Sequence, residues 1–183
     1  FVYADANIFN VFTIPFLKGD AATALLQPNT LVITAELAKK YFGEEDPIGK
    51  TLTFNSFNNA LYKVTGVIEK IPANAHFHFD MIGSMAGLPE AKETTWMTSN
   101  FFTYLVLPKG YDYKKLEAKL PAMVEKYMGP EIMQAMGMSV DQFRTKGNEL
   151  GFTLQPLKNI HLHSQISYEI EPGGDVKSVY IFS

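Results

Sequence analysis

Residues 31–52, LVITAELAKKYFGEEDPIGKTL, combine the strongest local folding signals of the chain. The apolar run Leu31–Ile33 is typical of a buried strand, and the hydroxyl of Thr34 can cap a following helix. The apolar spacing predicts that helix over Ala35–Phe42, and Gly43 ends it because glycine takes a left-handed conformation at little cost. An acidic turn and a second strand follow, so the stretch predicts strand, helix, turn and strand.

The flanking sequence extends this pattern with further strands. Strands are predicted over Phe1–Ala6, Leu52–Phe54, Leu61–Ile68 and His76–Met81, with short helical segments at 7–12 and 21–26. Residues 55–59 have the composition of a turn, which predicts a hairpin between the second and third of these strands.

The second half of the chain alternates strand and helix signals. Strands are predicted over Phe101–Leu107, Phe152–Pro156 and Ile166–Ile170, and helices over Tyr113–Met128 and from Ser139 to Lys146. The first helix has an apolar stripe, and Pro121 inside it should produce a kink. The stripe is formed by Leu116, Leu120, Met123 and Tyr127. The element order predicts an α+β fold of two small lobes.

Composition excludes several classes of function. The chain has 183 residues, no cysteine and a formal net charge of −3. Disulfides, thiolate catalysis and cysteine-based zinc sites are therefore excluded, and the charge gives no basis for nucleic-acid binding. No apolar run is long enough to span a bilayer.

The run VITAELAKKYFGEEDPIGKTL followed by YKVTGVIEKIP resembles the periplasmic core domain of MacB-like ABC-transporter permeases. The resemblance implies two lobes: residues 1–82 as a small inserted α+β lobe, called Sabre, and residues 83–183 as the second half of a porter-like lobe. It also implies that the first porter half and the transmembrane helices belong to the same polypeptide outside this sequence. The porter-like lobe would then be partial, with an unpaired strand edge.

The resemblance further implies a non-catalytic function without a cofactor. The chain would be the periplasmic domain of a bacterial inner-membrane protein of the FtsX/MacB type, coupling cytoplasmic ATP hydrolysis to periplasmic movement for export or efflux. The implied partners are a cytoplasmic ATPase, a second permease copy, and a periplasmic adaptor or exported substrate. The alternative is a periplasmic domain that binds a ligand or a metal.

Four histidines form two H-x-H pairs, His76/His78 and His161/His163. Residues two apart on a strand face the same side, so each pair would present two imidazoles together. If the pairs met, four nitrogens would suit zinc or copper. The competing interpretation is two independent strands with structural histidines and no metal, and the family resemblance favours this second interpretation.

Methionines concentrate in the second half. Met128, Met133, Met136 and Met138 are candidates for a partner or substrate surface, because the flexible thioether side chain adapts to apolar partners. The alternative is that they fill the core between two short helices.

No sequence pattern predicts catalysis or nucleotide binding. Glu44, Glu45 and Asp46 are consecutive in a solvated turn, which does not suit acid–base chemistry. The segment from Gly43 to Thr51 is similar to a phosphate-binding loop, but it is one residue too long and its acidic residues would repel phosphate. The sequence therefore predicts neither catalytic residues nor an ATP site.

Overall fold

The computed structural model describes residues 1–54, 59–163 and 169–172. The chain divides into two compact units, Phe1–Glu93 and Thr94–Ser183. The division therefore lies after Glu93, whereas the sequence predicted it after residue 82, which falls inside a strand. No helix within the described ranges is long and apolar enough to cross a bilayer.

The first unit is built around a mixed sheet. Its elements are β1 (Val2–Ala4), α1 (Ile8–Val11), β2 (Phe16–Gly19), β3 (Thr30–Thr34), α2 (Ala35–Phe42), β4 (Thr51–Phe54), β5 (Ala60–Ile68) and β6 (Met81–Ser84). Short 3-10 turns follow at Met85–Gly87 and Glu90–Lys92.

The strand order is β1-β6-β3-β5-β2, and β4 also pairs with β5. β3 lies between β6, which is antiparallel to it, and β5, which is parallel. β5 is long enough to pair with β4 through its first half and β2 through its second half. The apolar run at the start of the 31–52 stretch is therefore a central strand, and all of its residues are buried.

Each face of this sheet carries its own apolar cluster, because alternate residues of a strand point to opposite faces. Val32 packs with Leu25 and Ile82 on one face, and α1 lies against that cluster. Leu31 and Ile33 pack with Val64 on the other face, where Ala38 of α2 joins them. Both faces are covered, as the continuous apolar run of β3 requires.

The sequence predictions for α2 are confirmed. The Thr34 hydroxyl accepts a hydrogen bond from the backbone N–H of Leu37 at 3.4 Å, and the helix ends at Gly43, whose φ is +62°. In the acidic turn, Asp46 accepts a hydrogen bond from the N–H of Ile48 at 3.2 Å. Gly49 then donates its N–H to the carbonyl of Val64 at 2.8 Å, which joins the turn to β5.

The second unit is helical in its described residues. Its elements are α3 (Tyr113–Glu117), α4 (Leu120–Met123), a π-type turn (Val124–Met128), α5 (Gly129–Met136), α6 (Val140–Thr145) and α7 (Leu157–His163). The core consists of Val124, Met128, Ile132 and Val140. The predicted capping box at the start of α6 is confirmed, with Ser139 and Gln142 bonded reciprocally at 3.2 and 2.8 Å.

Two helix predictions are corrected. The segment 21–26 forms consecutive turns, in which Asp20 accepts a hydrogen bond from the N–H of Ala22. The helix predicted over Tyr113–Met128 is interrupted after Glu117, and Pro121 lies in the first turn of α4, where its missing N–H costs little. The buried residues of this region are spaced four apart: Leu120, Val124, Met128 and Ile132. Met123 and Tyr127 of the predicted stripe are not among them.

Three strand predictions are also corrected. Residues 76–80, Phe101–Leu107 and Phe152–Pro156 carry no strand, since no neighbouring strand among the described residues pairs with them. The strand predicted over Ile166–Ile170 falls mainly on residues 164–168, which lie outside the described residues.

Candidate functional site

The histidine pairs lack the strand geometry on which the predicted metal site depends. His78 lies in a loop with its Nε2 3.0 Å from the carbonyl oxygen of Pro72, and the His76 ring packs against Phe12 and Phe77. His161 and His163 belong to α7, which is a helix and not the strand that the metal hypothesis assumed. Within residues 1–54, 59–163 and 169–172, no group of three His, Cys, Asp or Glu residues could hold a metal ion.

The acidic turn uses its carboxylates for structure. Asp46 pairs with Lys18 at 3.2 Å, and Glu45 forms an ion pair with Lys50. The hydrogen bond from the N–H of Ile48, together with Lys18, lowers the pKa of Asp46. These contacts link β2 and the turn, and they give Glu45 and Asp46 a structural role.

An aromatic cluster that joins β1 to β4 and β5 on one face of the sheet was not predicted from the sequence. The rings of Phe1, Tyr3, Phe54 and Tyr62 lie between 4.8 and 6.3 Å from one another in the contacts that join them. The Tyr3 and Tyr62 hydroxyls are 2.6 Å apart, and burial followed by this hydrogen bond raises the pKa of Tyr3. Gly83 makes room for the Phe1 ring, because a Cβ there would lie 2.8 Å from it.

The four candidate methionines separate into two groups. Met128 is 6% exposed and belongs to the core of the second unit, and Met138 is half-buried against the same core. Met133 and Met136 on α5 are 51% and 47% exposed. Met133 and Met136 are therefore the most accessible of the four methionines to a partner. Met138 is partly accessible, and Met128 is almost inaccessible.

A second apolar surface of this unit lies in the segment 101–107. Phe101, Phe102, Leu105 and Val106 are 45%, 56%, 55% and 69% exposed. Tyr104 is half-buried: burial, and then the nearby Glu169 carboxylate, raise its pKa to about 12. The sequence predicted an apolar strand here, and the signal that this prediction missed is that both alternate sets of side chains are apolar and need cover on two sides.

Thr95 and Trp96, which precede the segment 101–107, are held by contacts with Glu131 and Tyr127. The Glu131 carboxylate accepts hydrogen bonds from the backbone N–H of Trp96 and from the hydroxyl of Thr95, the latter at 2.7 Å. The Trp96 ring stacks on Tyr127 with centroids 4.7 Å apart. The exposed apolar segment therefore begins close to a fixed point on α5.

The residues 1–123 match the MacB-like periplasmic core domain family. The chain belongs to this family. Membership makes it a periplasmic domain of the ABC-transporter permease class, in which such domains are generally non-catalytic. No curated protein matches the sequence.

Two solved structures are similar to this MacB-like domain. One is a domain of a protein described as a permease from Porphyromonas gingivalis, with 24% identity, a TM-score of 0.60, and coverage of 68% of this chain and 58% of that one. The other is the periplasmic region of MacB from Actinobacillus actinomycetemcomitans, with 15% identity, a TM-score of 0.41, and coverage of 80% and 64%. The first likeness supports the α+β fold, and the chain spans less than two thirds of either structure.

Proposed function

We propose that this domain couples cytoplasmic ATP hydrolysis to periplasmic movement in an ABC-transporter permease that exports its substrate. The family match over residues 1–123 carries this proposal. A coupling domain needs rigid lobes and contact surfaces, and it needs no catalytic residues. The sheet of the first unit, covered on both faces, is suited to act as such a rigid lobe.

The exposed segment 101–107 supplies the contact surface. No residue from Met97 to Leu107 carries a charge, and four large apolar side chains there are 45–69% exposed. Apolar surface of this kind marks a site of contact with another chain or segment. In the proposed arrangement the first unit is the Sabre-like lobe and the second unit is part of the porter-like lobe, whose other half covers this segment.

The partners follow from the same proposal. The cytoplasmic ATPase acts through transmembrane helices of the permease, a second permease copy faces this one, and a periplasmic adaptor or the exported substrate contacts the moving lobes. The location is then the periplasmic side of a bacterial inner membrane.

The test uses the absence of cysteine from this chain. Single cysteines replace Phe102 or Val106 in the intact permease, freed of other cysteines and reconstituted with its ATPase. We expect both positions to react with a maleimide several-fold more slowly in the intact permease than in the 183-residue chain, because the other half of the lobe covers them. Nucleotide trapping should then change the labelling rate, since the lobes move.

The matched control is a cysteine at Lys63, an exposed position in β5. Its labelling should be the same in the isolated chain and in every nucleotide state. Equal labelling of Phe102→Cys and Lys63→Cys in all states, with an active ATPase, would contradict the proposal.

A second candidate function is the binding of a ligand at the methionines of α5. The exposure of Met133 and Met136 favours it, because large apolar side chains of a short helix would otherwise be expected to face the core.

A further inference from the structure

The end of α5 brings methionines together outside the part of the chain that matches the family. The family match ends at residue 123, whereas Met133, Met136 and Met138 form the sequence pattern M-x-x-M-x-M beyond it. Met133 and Met136 are three residues apart on α5, so their Cβ atoms are neighbours on one face, about 5–6 Å apart. Both side chains are about half exposed to solvent.

The helix cap adds the third methionine to this face. Gly137 has a φ of +67°, and its N–H donates to the carbonyl of Met133 at 2.9 Å. This left-handed cap reverses the chain and commonly brings the next residue back against the last helical turn. That residue is Met138, which packs against the cluster containing Ile132. All three residues therefore lie in the C-terminal turn of α5 or directly after it.

We propose that Met133, Met136 and Met138 bind a soft monovalent cation, Cu(I) or Ag(I). Thioether sulfurs are soft donors that select Cu(I), and with no cysteine in the chain they are its only soft ligands. With metal–sulfur bonds of about 2.3 Å, two sulfurs on one ion lie at most about 4.6 Å apart, within reach of flexible methionines on adjacent helical positions.

The charge of the surroundings also suits a monovalent cation. The carbonyl groups at the end of a helix carry partial negative charge and lack helical partners. The carboxylate of α5, Glu131, is engaged with Trp96 and Thr95, so it is not available as a hard ligand beside the thioethers. This inference rests on the second candidate function and not on coupling to ATP hydrolysis.

The experiment is a titration of the 183-residue chain with silver nitrate in chloride-free buffer. The methyl groups of the eight methionines are labelled with ¹³C and followed by NMR. We expect the signals of Met133, Met136 and Met138 to move together and saturate at equimolar Ag(I). Met97, which is 36% exposed, is the internal control and should not move.

Substitutions identify the ligands. Met133→Leu and Met136→Leu keep the apolar volume, and each should weaken Ag(I) binding by at least about tenfold, which corresponds to about 1.4 kcal/mol. Met97→Leu should leave binding unchanged. Circular dichroism confirms that each variant is folded.

Two results would overturn the inference. If Met97 moves along with the other exposed methionines, silver binds any accessible thioether. If no signal moves at equimolar silver, there is no soft-metal site. Neither result bears on the cysteine labelling of Phe102 and Val106, so failure of this inference and failure of the coupling proposal remain distinguishable.

Discussion

Two apolar runs of this chain have similar composition and opposite environments. Leu31–Ile33 in β3 is flanked by β5 and β6 and is completely buried. Phe101–Leu107 has no strand neighbour among the described residues, and four of its large side chains are about half exposed or more. The difference lies in the neighbours and not in the run itself, because a strand forms only where another strand completes its hydrogen bonds.

The largest expected effect on stability comes from a leucine-to-alanine substitution, made once in each of the two apolar runs. Leu31→Ala should lower the free energy of unfolding by about 4 kcal/mol, because Leu31 is fully buried and the sheet cannot close the cavity. Leu105→Ala should change it by less than about 0.5 kcal/mol, since Leu105 is 55% exposed. Urea unfolding followed by far-UV circular dichroism reports both units, and the part of the transition that Trp96 fluorescence does not show belongs to the first unit. Fluorescence of Trp96, the only tryptophan, measures the second.

A large cost for Leu105→Ala in the isolated chain would break the comparison, because it would mean that the segment is already packed. In the intact permease the same substitution should become costly if the other half of the lobe covers the segment.

The sequence predicted the first unit better than the second for a physical reason. Thr34, Ala35–Phe42 and Gly43 are controlled by local capping and periodicity, so their positions can be read from the sequence. The break after Glu117 and the exposure of Phe102 depend on which other elements are nearby, which no local pattern encodes.

The same reasoning applies to the candidate site. The methionine pattern was visible in the sequence, but only the structure shows that Met128 is in the core and that Met133 and Met136 are exposed. The strand geometry assumed for the histidine pairs failed because neither pair gained a strand partner among the described residues.

Replacing one glycine of each unit by alanine should give the next largest effect on stability. Gly19 has a φ of +85°, and a Cβ there would lie 2.3 Å from the backbone oxygen of Thr65. Gly19→Ala should therefore cost about 3 kcal/mol, from the left-handed backbone and the clash together. Gly110 in the second unit has a φ of +79° with no atom near its added Cβ, so Gly110→Ala should cost only about 1 kcal/mol. Equal losses in denaturant titrations would mean that β2 moves away from β5 to relieve the clash.

The helix N-caps of the two units should behave alike. The contrast between the units therefore does not extend to helix capping. Thr34→Ala and Ser139→Ala each remove a side-chain acceptor for a helix N–H, and each should cost about 1 kcal/mol. Thr34→Ser and Ser139→Thr are the controls and should recover most of the loss. A negligible effect of Ser139→Ala on the Trp96 transition would show that α6 does not contribute to folding of the second unit.

The smallest expected effect concerns Tyr104, a half-buried residue of the exposed segment. Burial raises the pKa of Tyr104 from its usual 10.0 to about 12, so folding favours the neutral phenol. Its contribution to stability is therefore complete below pH 10, and it is lost as the pH rises from 10 toward 12, because the unfolded chain releases the proton first. Tyr104→Phe should make the Trp96 unfolding transition less sensitive to pH in that interval and leave it nearly unchanged at pH 8. Tyr41→Phe, at a position 50% exposed in the first unit, is the matched control. If the two variants have the same alkaline profile, Tyr104 does not anchor the segment, and the contrast with the buried strand β3 then extends to Tyr104.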